Sequence, residues 1–180
     1  MVYVFLADGF EIIEALAPVD MLTRAKIDVK TVGVTGKVVK SSCGVQVVSD
    51  IEIGDFEFCD VQAIVLPGGM PGTLNLENNE KLQGVIDNAV NINIPVCAIC
   101  AAPSILGHKG LLKGKQATCF PGFEDALEGA EIVDNGVVCD GNFITAKGAG
   151  VSVDFGLEIV KKLKGEDVAL EIRKTIQCNN

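Results

Sequence analysis

The sequence predicts an α/β protein built as a single domain, with a doubly wound, mostly parallel sheet flanked by helices. Several candidate strands are continuous apolar runs, which is typical of strands buried on both faces of a parallel sheet. Strands and helices alternate through short connections, as a doubly wound topology requires. No repeat, low-complexity segment or linker interrupts the 180 residues, so one domain is predicted over 1–180.

In the first half of the chain, apolar runs predict strands and an apolar stripe at helical spacing predicts the first helix. The predicted elements are a strand at 2–7, a helix at 11–25, a strand at 28–34 and a buried strand at 61–66. The short runs at 38–39 and 45–48 lie on either side of Ser41-Ser42-Cys43-Gly44, which favours a small antiparallel excursion.

The second half continues the same alternation. Its predicted elements are a helix at 80–90, a strand at 94–99, a short helix at 102–108, strands at 137–139 and 142–146, and helices at 152–163 and 166–176. In such sheets the ligand crevice lies at the carboxyl ends of the strands. That rule directs attention to the segments 8–11, 67–69 and 147–150, and to Cys100.

Composition argues against several partners and compartments. The chain has 24 acidic and 15 basic residues, a net charge of −9, and no cluster of Lys and Arg. Such a surface repels phosphate backbones and anionic lipids, so we expect no direct affinity for nucleic acid or membrane. The apolar run from Met1 to Ala7 is too short for a membrane span and lacks the basic flank of a secretory signal. Seven dispersed cysteines, an odd number, favour reduced thiols and a cytoplasmic location.

Cys100 is the candidate nucleophile. It follows a buried strand and precedes a helix, with the small residues Ala98 and Ala102 two positions away on either side. A nucleophile elbow needs small neighbours, because bulky side chains would collide across its sharp turn. Pro103 suits the first turn of the helix. The unpaired N–H groups and the positive end of the helix dipole would then lower the pKa of the thiol and favour a reactive thiolate.

Two other interpretations of this cysteine exist. Cys100 would be inert if it were only a small buried hydrophobe, as many free cysteines are. Cys97 and Cys100 also spell a C-x-x-C motif, but Cys97 lies inside the predicted strand, about 10 Å away in an extended chain and beyond disulfide reach. The other six cysteines have no setting comparable with that of Cys100, so they are expected to be ordinary thiols.

Five ordered segments resemble the DJ-1/PfpI superfamily, in particular its DJ-1/ThiJ/YajL-like branch. They are ADGFEIIE (7–14), PVD (18–20), VLPGG (65–69), AICAAP (98–103) and TAKGAG (145–150). The resemblance covers nearly the whole chain and implies a flavodoxin-like fold similar to that of class I glutamine amidotransferases. It also implies a protein without cofactor or metal, and a homodimer formed through the first helix and nearby strands.

The resemblance implies that Glu14 is the glutamate that meets the cysteine in this family. A carboxyl close to a thiolate has its pKa raised by like charge and burial, and when protonated it can donate a hydrogen bond to the sulfur. Glu14 would then stabilise the thiolate and act as proton shuttle. The N–H groups of Gly68, Gly69 and Ala101 are candidates for an oxyanion hole or anion-binding nest, although the glycines also suit a tight turn.

Further candidate ligand contacts are Arg24, Phe120, Lys147 and Gly148. Members of the family often have an arginine near position 24 that can attract anions, but an i,i+4 surface pair with Asp20 is equally compatible with the sequence. Lys147 and Gly148 follow a predicted strand. Phe120 stands where animal DJ-1 proteins have a histidine.

The resemblance implies an enzyme of the glyoxalase III or protein deglycase type, acting on small α-oxoaldehydes or their early protein adducts. The alternative is a non-catalytic redox sensor or chaperone, oxidised at Cys100 in the response to oxidative stress. A cysteine protease or amidase is a weaker third hypothesis. PfpI-type proteases have a histidine directly after the cysteine, where this chain has Ala101, and the only histidine, His108, lies at the end of the following helix.

Overall fold

A computed structural model describes residues 1–178 and contains a seven-stranded central sheet. Its strands and those of two smaller sheets are β1 (Val2–Leu6), β2 (Val29–Gly33), β3 (Val38–Lys40), β4 (Gln46–Val48), β5 (Ile51–Glu52), β6 (Ala63–Leu66), β7 (Val96–Ile99), β8 (Gln116–Ala117), β9 (Glu131–Ile132), β10 (Val137–Asp140) and β11 (Phe143–Ala146). The central sheet has the order β10-β11-β7-β6-β1-β2-β5. Its pairs are parallel except β10 with β11, which confirms the mostly parallel sheet.

Helices cover both faces of this sheet. They are α1 (Ile12–Arg24), α2 (Gly72–Glu77), α3 (Glu80–Asn91), α4 (Pro103–His108), α5 (Ser152–Lys164) and α6 (Glu166–Thr175). Short 3-10 turns occur at Ile53–Asp55, Glu124–Ala126 and Ala149–Val151. Within residues 1–178, none of these helices has the length and apolar character that crossing a membrane requires.

Strand β1 shows why its sequence is apolar at every position. Val2, Val4 and Leu6 face the core that contains residues of α1, α5 and α6. Tyr3 and Phe5 face the opposite core, which contains residues of α3 and α4. Because successive side chains of a strand point to opposite faces, a strand covered on both sides needs apolar residues throughout. Burying each large side chain stabilises the fold by roughly 1.5–3 kcal/mol. The helices on both faces confirm the doubly wound arrangement.

The close contact of α1 with α5 depends on Gly156. A Cβ at this position would lie 2.9 Å from Met21 Cγ and 3.0 Å from Pro18 Cα. These separations are shorter than ordinary van der Waals contact, so only glycine permits this distance between the helices. The contact holds α1 beside α5 and therefore close to the loop that precedes α5.

The predicted antiparallel excursion is confirmed as the separate β3–β4 hairpin. Several short elements were not predicted from the sequence: β5, α2 and the parallel pair of β8 with β9. Strands of two residues and a helix of six are too short to show a hydrophobic period. The predicted strands at 61–66 and 94–99 begin two residues later, at Ala63 and Val96.

Four parallel strands end at the same edge of the sheet and bring together segments that are distant in sequence. After β1 comes Asp8-Gly9, after β6 comes Pro67-Gly68-Gly69, after β7 comes Cys100, and after β11 comes Lys147-Gly148. The carboxyl ends of parallel strands form the usual ligand crevice of this architecture. The candidate site lies there.

Candidate active site

Cys100 lies at a strained turn between β7 and α4. Its backbone has φ of +65°, a left-handed conformation that non-glycine residues rarely adopt. Cys100 N–H donates to Ala146 O at 2.8 Å, and its carbonyl accepts from Phe120 N–H at 2.8 Å. Ala98 and Ala102 beside it are fully buried. The turn therefore has the geometry of a nucleophile elbow, although α4 begins only at Pro103 and has six residues.

Glu14 lies in the first turn of α1 and is 1% exposed. Its position is set by Glu11, whose Oε2 accepts from Glu14 N–H at 2.8 Å as the N-cap of the helix. Glu14 Oε2 accepts from Gly68 N–H at 3.0 Å. The same carboxyl is hydrogen-bonded to the Cys100 thiol and to the backbone N–H of Ala149. The structure therefore brings the two predicted residues into direct contact.

Gly68 occupies a place with no room for a side chain. A Cβ there would lie 2.6 Å from Cys100 Cβ and 2.7 Å from Glu14 Oε2. The predicted group of backbone donors is divided between Cys100 and Glu14: the amides of Gly69 and Ala101 are directed to the Cys100 sulfur, whereas Gly68 N–H binds Glu14. The prediction that Gly68 would face the nucleophile together with the other two is corrected accordingly.

Burial determines the titration of both groups. It raises the pKa of Glu14 from 4.5 to about 7, while the hydrogen bonds from Cys100, Gly68 and Ala149 lower it. Burial and the adjacent Glu14 carboxyl raise the pKa of Cys100 to about 12, against a smaller opposite effect of the amides of Gly69 and Ala101. The expectation of a thiol with a lowered pKa is therefore wrong, because desolvation outweighs the donors at this turn.

The two groups titrate as a pair, since they are joined by a hydrogen bond. Between pH values of about 7 and about 12 the pair holds one proton and one negative charge. With the proton on Glu14 the sulfur is a thiolate that faces two amide donors; with the proton on sulfur the charge resides on the carboxylate. A proton thus needs to move only within one hydrogen bond to create the nucleophile.

Phe120 and Gly148 border this pair. A Cβ on Gly148 would lie 3.2 Å from Phe120 Cδ2 and 3.7 Å from Glu14 Oε1, so the aromatic ring and the carboxyl approach Gly148 together. Lys147 is close in the chain, but its ammonium forms an ion pair with Asp134. Of the predicted ligand contacts, Phe120 and Gly148 are therefore part of the site, and Lys147 lies at its margin.

Arg24 lies away from the site. Ten residues of α1 separate it from Glu14, which corresponds to about 15 Å of helix. Its Nε donates to Asp20 Oδ2 at 2.9 Å on the exposed surface, which is the i,i+4 pair that the sequence also allowed. His108 pairs with Glu77 at the end of α4, so this histidine is not a partner of Cys100.

Cys43 departs from the ordinary thiol that the sequence predicts at this position. It is exposed in the β3–β4 turn, and its sulfur lies 3.2 Å from Ser41 Oγ. This hydrogen bond is the main reason that the pKa of Cys43 is lowered. The Ser-Ser-Cys-Gly segment could have indicated this lowered pKa, because hydroxyls and backbone donors lie close together in such turns. By contrast, Cys97 is fully buried in β7, and burial raises its pKa.

Comparison with known proteins gives matches over nearly the whole chain. The model of the DJ-1/PfpI family matches residues 1–162. Protein DJ-1 homolog B of Arabidopsis thaliana is 37% identical over 171 residues, covering 94% of this chain and 39% of the relative. Protein dj-1beta of Drosophila melanogaster is 32% identical over 174 residues, covering 95% of this chain and 93% of the relative. The chain thus spans less than half of the Arabidopsis relative.

Solved structures agree with the fold. A cysteine-to-alanine mutant of a DJ-1 superfamily protein from Salmonella typhimurium superposes with a TM-score of 0.94 at 34% identity, covering 99% of this chain and 98% of that one. Toxoplasma gondii DJ-1 in an oxidized form gives a TM-score of 0.94 at 29% identity, covering 98% of this chain and 97% of that one. The flavodoxin-like arrangement expected from the sequence is confirmed.

Proposed function

This chain belongs to the DJ-1/PfpI family, and on that premise we propose that it is a cysteine-dependent enzyme acting on α-oxoaldehydes or their early protein adducts. The observation that carries the proposal is the hydrogen-bonded pair of Glu14 and Cys100, with the amides of Gly69 and Ala101 directed to the sulfur. This arrangement places a nucleophile, a proton carrier and anion-stabilising donors around one point. The steps of this reaction require no cofactor.

In the first step, the Cys100 thiolate adds to the aldehyde carbon. A C–S bond forms, the electron pair of the C=O π bond moves to oxygen, and Glu14 gives its proton to that oxygen. The product is a hemithioacetal beside a Glu14 carboxylate. The amides of Gly69 and Ala101 stabilise the negative charge on the sulfur before it is transferred.

In the second step, the Glu14 carboxylate removes the proton from the former aldehyde carbon. The electrons form an enediolate, Glu14 returns the proton to the neighbouring carbon, and the hydroxyl proton of the first carbon passes to the oxygen of the second. The first carbon is thereby oxidised to a thioester and the second is reduced to an alcohol, so no external oxidant is needed. Water then attacks the thioester and gives a proton to the Glu14 carboxylate; the C–S bond breaks, and the sulfur leaves as thiolate with release of a hydroxy acid. The net change is addition of one water.

An early protein adduct enters the same route after one additional bond cleavage. The carbinolamine formed between an amine and an α-oxoaldehyde loses the amine when its C–N bond breaks, and the proton of the carbinol passes to the leaving nitrogen. The released aldehyde then meets Cys100. Glyoxalase and deglycase activities therefore use the same residues.

The test is formation of lactate from methylglyoxal. We expect Cys100→Ser to abolish it and Glu14→Gln to reduce kcat/KM by about 100-fold or more, the range for loss of a general acid–base group. Cys119→Ser is the matched control, a buried cysteine beside the site, and should retain the rate. The wild-type kcat/KM should rise with pH through about 7 as the pair loses its first proton. Lactate formation by the Cys100→Ser variant would refute the proposal.

A second candidate function is a redox sensor or chaperone that is oxidised at Cys100. The amides directed to the sulfur and the adjacent Glu14 carboxyl are suited to hold the oxygens of a sulfinic acid. Each of two peroxide molecules would transfer one oxygen to the sulfur and leave as water. Mass spectrometry after mild peroxide should find two added oxygens on Cys100, and indiscriminate oxidation of the exposed Cys43 and Cys139 instead would contradict this role.

We also propose that the protein is a homodimer. Val38 and Val48 are opposite each other in the β3–β4 hairpin and both are exposed, as is Ile13 of α1. Exposed apolar side chains on neighbouring elements are typical of an interaction surface. Sedimentation should give twice the chain mass, and Val48→Asp should give monomer. Ile92→Asp, a change at an exposed apolar residue of another surface, should remain dimeric; a monomeric wild type would refute the proposal.

A further inference from the structure

An apolar groove adjoins the Glu14–Cys100 pair. It has a volume of about 280 Å³ and is lined by Phe120, Pro121 and the segment 147–151. Almost all of its surface is contributed by apolar atoms. Lys147 lines it too, but the ammonium of this residue is engaged by Asp134. We call this feature the Phe120 groove.

Each wall of the Phe120 groove contains a backbone N–H group that donates to one of the two residues, Cys100 or Glu14. On one side, Phe120 N–H donates to Cys100 O at 2.8 Å. On the other side, Ala149 N–H donates to the Glu14 carboxyl, and a Cβ on Gly148 would lie 3.2 Å from Phe120 Cδ2 and 3.7 Å from Glu14 Oε1. The groove therefore adjoins the Glu14 carboxyl and the turn that carries Cys100.

Phe120 is unusual in the exposure of its ring. It is 47% exposed, although large aromatic side chains are normally well buried. Its ring is also the only aromatic surface among the groove residues. Covering such a ring with an apolar group is favourable, because both surfaces lose contact with water. The occupant that the position of the groove favours is the part of a substrate attached to its reacting carbons.

We propose that the Phe120 groove binds the carbon substituent of the substrate and selects α-oxoaldehydes with large apolar or aromatic substituents. This inference rests on the proposed function and specifies its substrate class. The groove is large enough for a phenyl ring, since a cavity of about 150 Å³ already admits benzene. It offers no unpaired charge that would favour a carboxylate or a phosphate. Phenylglyoxal is therefore preferred to methylglyoxal.

The first experiment compares turnover of the two aldehydes. We expect kcat/KM for phenylglyoxal to exceed that for methylglyoxal by about tenfold or more, because each added apolar carbon in a pocket contributes roughly a factor of several to discrimination. Phe120→Ala should reduce this ratio about tenfold, and Phe120→Leu should restore part of it. Ile92→Ala, which removes an exposed apolar side chain elsewhere, should leave the ratio unchanged. A ratio that does not differ between wild type and Phe120→Ala overturns the inference.

The second experiment needs no turnover. Rates of Cys100 alkylation by N-phenyl iodoacetamide and by iodoacetamide are measured on the Cys100 peptide by mass spectrometry. We expect the phenyl reagent to be favoured by the wild type and this preference to be lost in Phe120→Ala. If neither aldehyde is converted, the proposed function fails, while the alkylation preference still decides whether the groove binds apolar groups. If Phe120→Ala left the alkylation preference unchanged but altered the oligomeric state of the protein in solution, the groove would be assigned to a second copy of the chain. That result would overturn the inference.

Discussion

The buried carboxyl of Glu14 should make the free energy of unfolding depend on pH. Replacing Glu14 by glutamine should remove this contribution. Glu14 is 1% exposed, and burial raises its pKa from 4.5 to about 7. In the unfolded chain this carboxyl loses its proton near its ordinary pKa, whereas the folded protein retains the proton up to about 7. The unfolded state therefore binds fewer protons than the folded state across this window, and stability falls as pH rises through it.

The size of the effect follows from the difference between the two pKa values. A shift of about 2.5 units, at roughly 1.36 kcal/mol for each unit, corresponds to about 3 kcal/mol. We expect wild type to lose about this amount of unfolding free energy between pH 4.5 and a pH above 7, relative to Glu14→Gln. Below pH 4.5 the two proteins should differ little in their pH dependence, because Glu14 is protonated in both states.

The assay is urea unfolding under reducing conditions at several pH values, followed by circular dichroism. The difference in unfolding free energy between wild type and Glu14→Gln is plotted against pH, so that contributions of groups that Glu14 does not influence cancel. Glu171→Gln, at an exposed glutamate of α6, is the control. Its free energy of unfolding should depend on pH in the same way as that of wild type. Parallel curves for wild type and Glu14→Gln would refute the assignment of a buried carboxyl with a raised pKa.

Two further predictions concern the same edge of the sheet. Gly68→Ala would place a Cβ 2.6 Å from Cys100 Cβ and 2.7 Å from Glu14 Oε2, so denaturant titration should show a loss of about 1–3 kcal/mol, with slower alkylation of Cys100. Gly54→Ala, where an added Cβ meets nothing within 4 Å, should change stability by less than about 0.5 kcal/mol; equal losses in both variants would contradict the steric argument. Because the Ser41 hydroxyl lowers the pKa of Cys43, Ser41→Ala should shift the alkylation of Cys43 to higher pH, and an unchanged profile would show that the hydroxyl has no such effect.

Much of the fold could be predicted from local sequence. The apolar runs at β1, β6, β7 and β11 identify strands that are covered on both faces, and the stripe of α1 identifies a helix covered on one. By contrast, β5, β8 and β9 are held by backbone pairing with partners elsewhere in the chain. A strand of two residues has no pattern of its own, so its existence depends on the strand that it meets.

The site was predictable only in part. Ala98 and Ala102 around Cys100 indicated an elbow from sequence, and the family resemblance pointed to Glu14. Neither source indicated that the amide of Gly68 binds Glu14 while those of Gly69 and Ala101 face the sulfur. That division depends on the orientation of individual peptide planes, which the residue types at these positions do not encode.

The amino-acid sequence by itself determined the alternation of strands and helices, the position of the sharp turn and the choice of Cys100 as candidate nucleophile, because these depend on neighbours a few residues away. Tertiary structure alone decided how the Cys100 thiol ionises. Positions 14, 68 and 100 meet only at the edge of the folded sheet, where removal of water raises the pKa values of both the carboxyl and the thiol. Exclusion of water at this site requires residues that are distant in sequence, so no short segment encodes it.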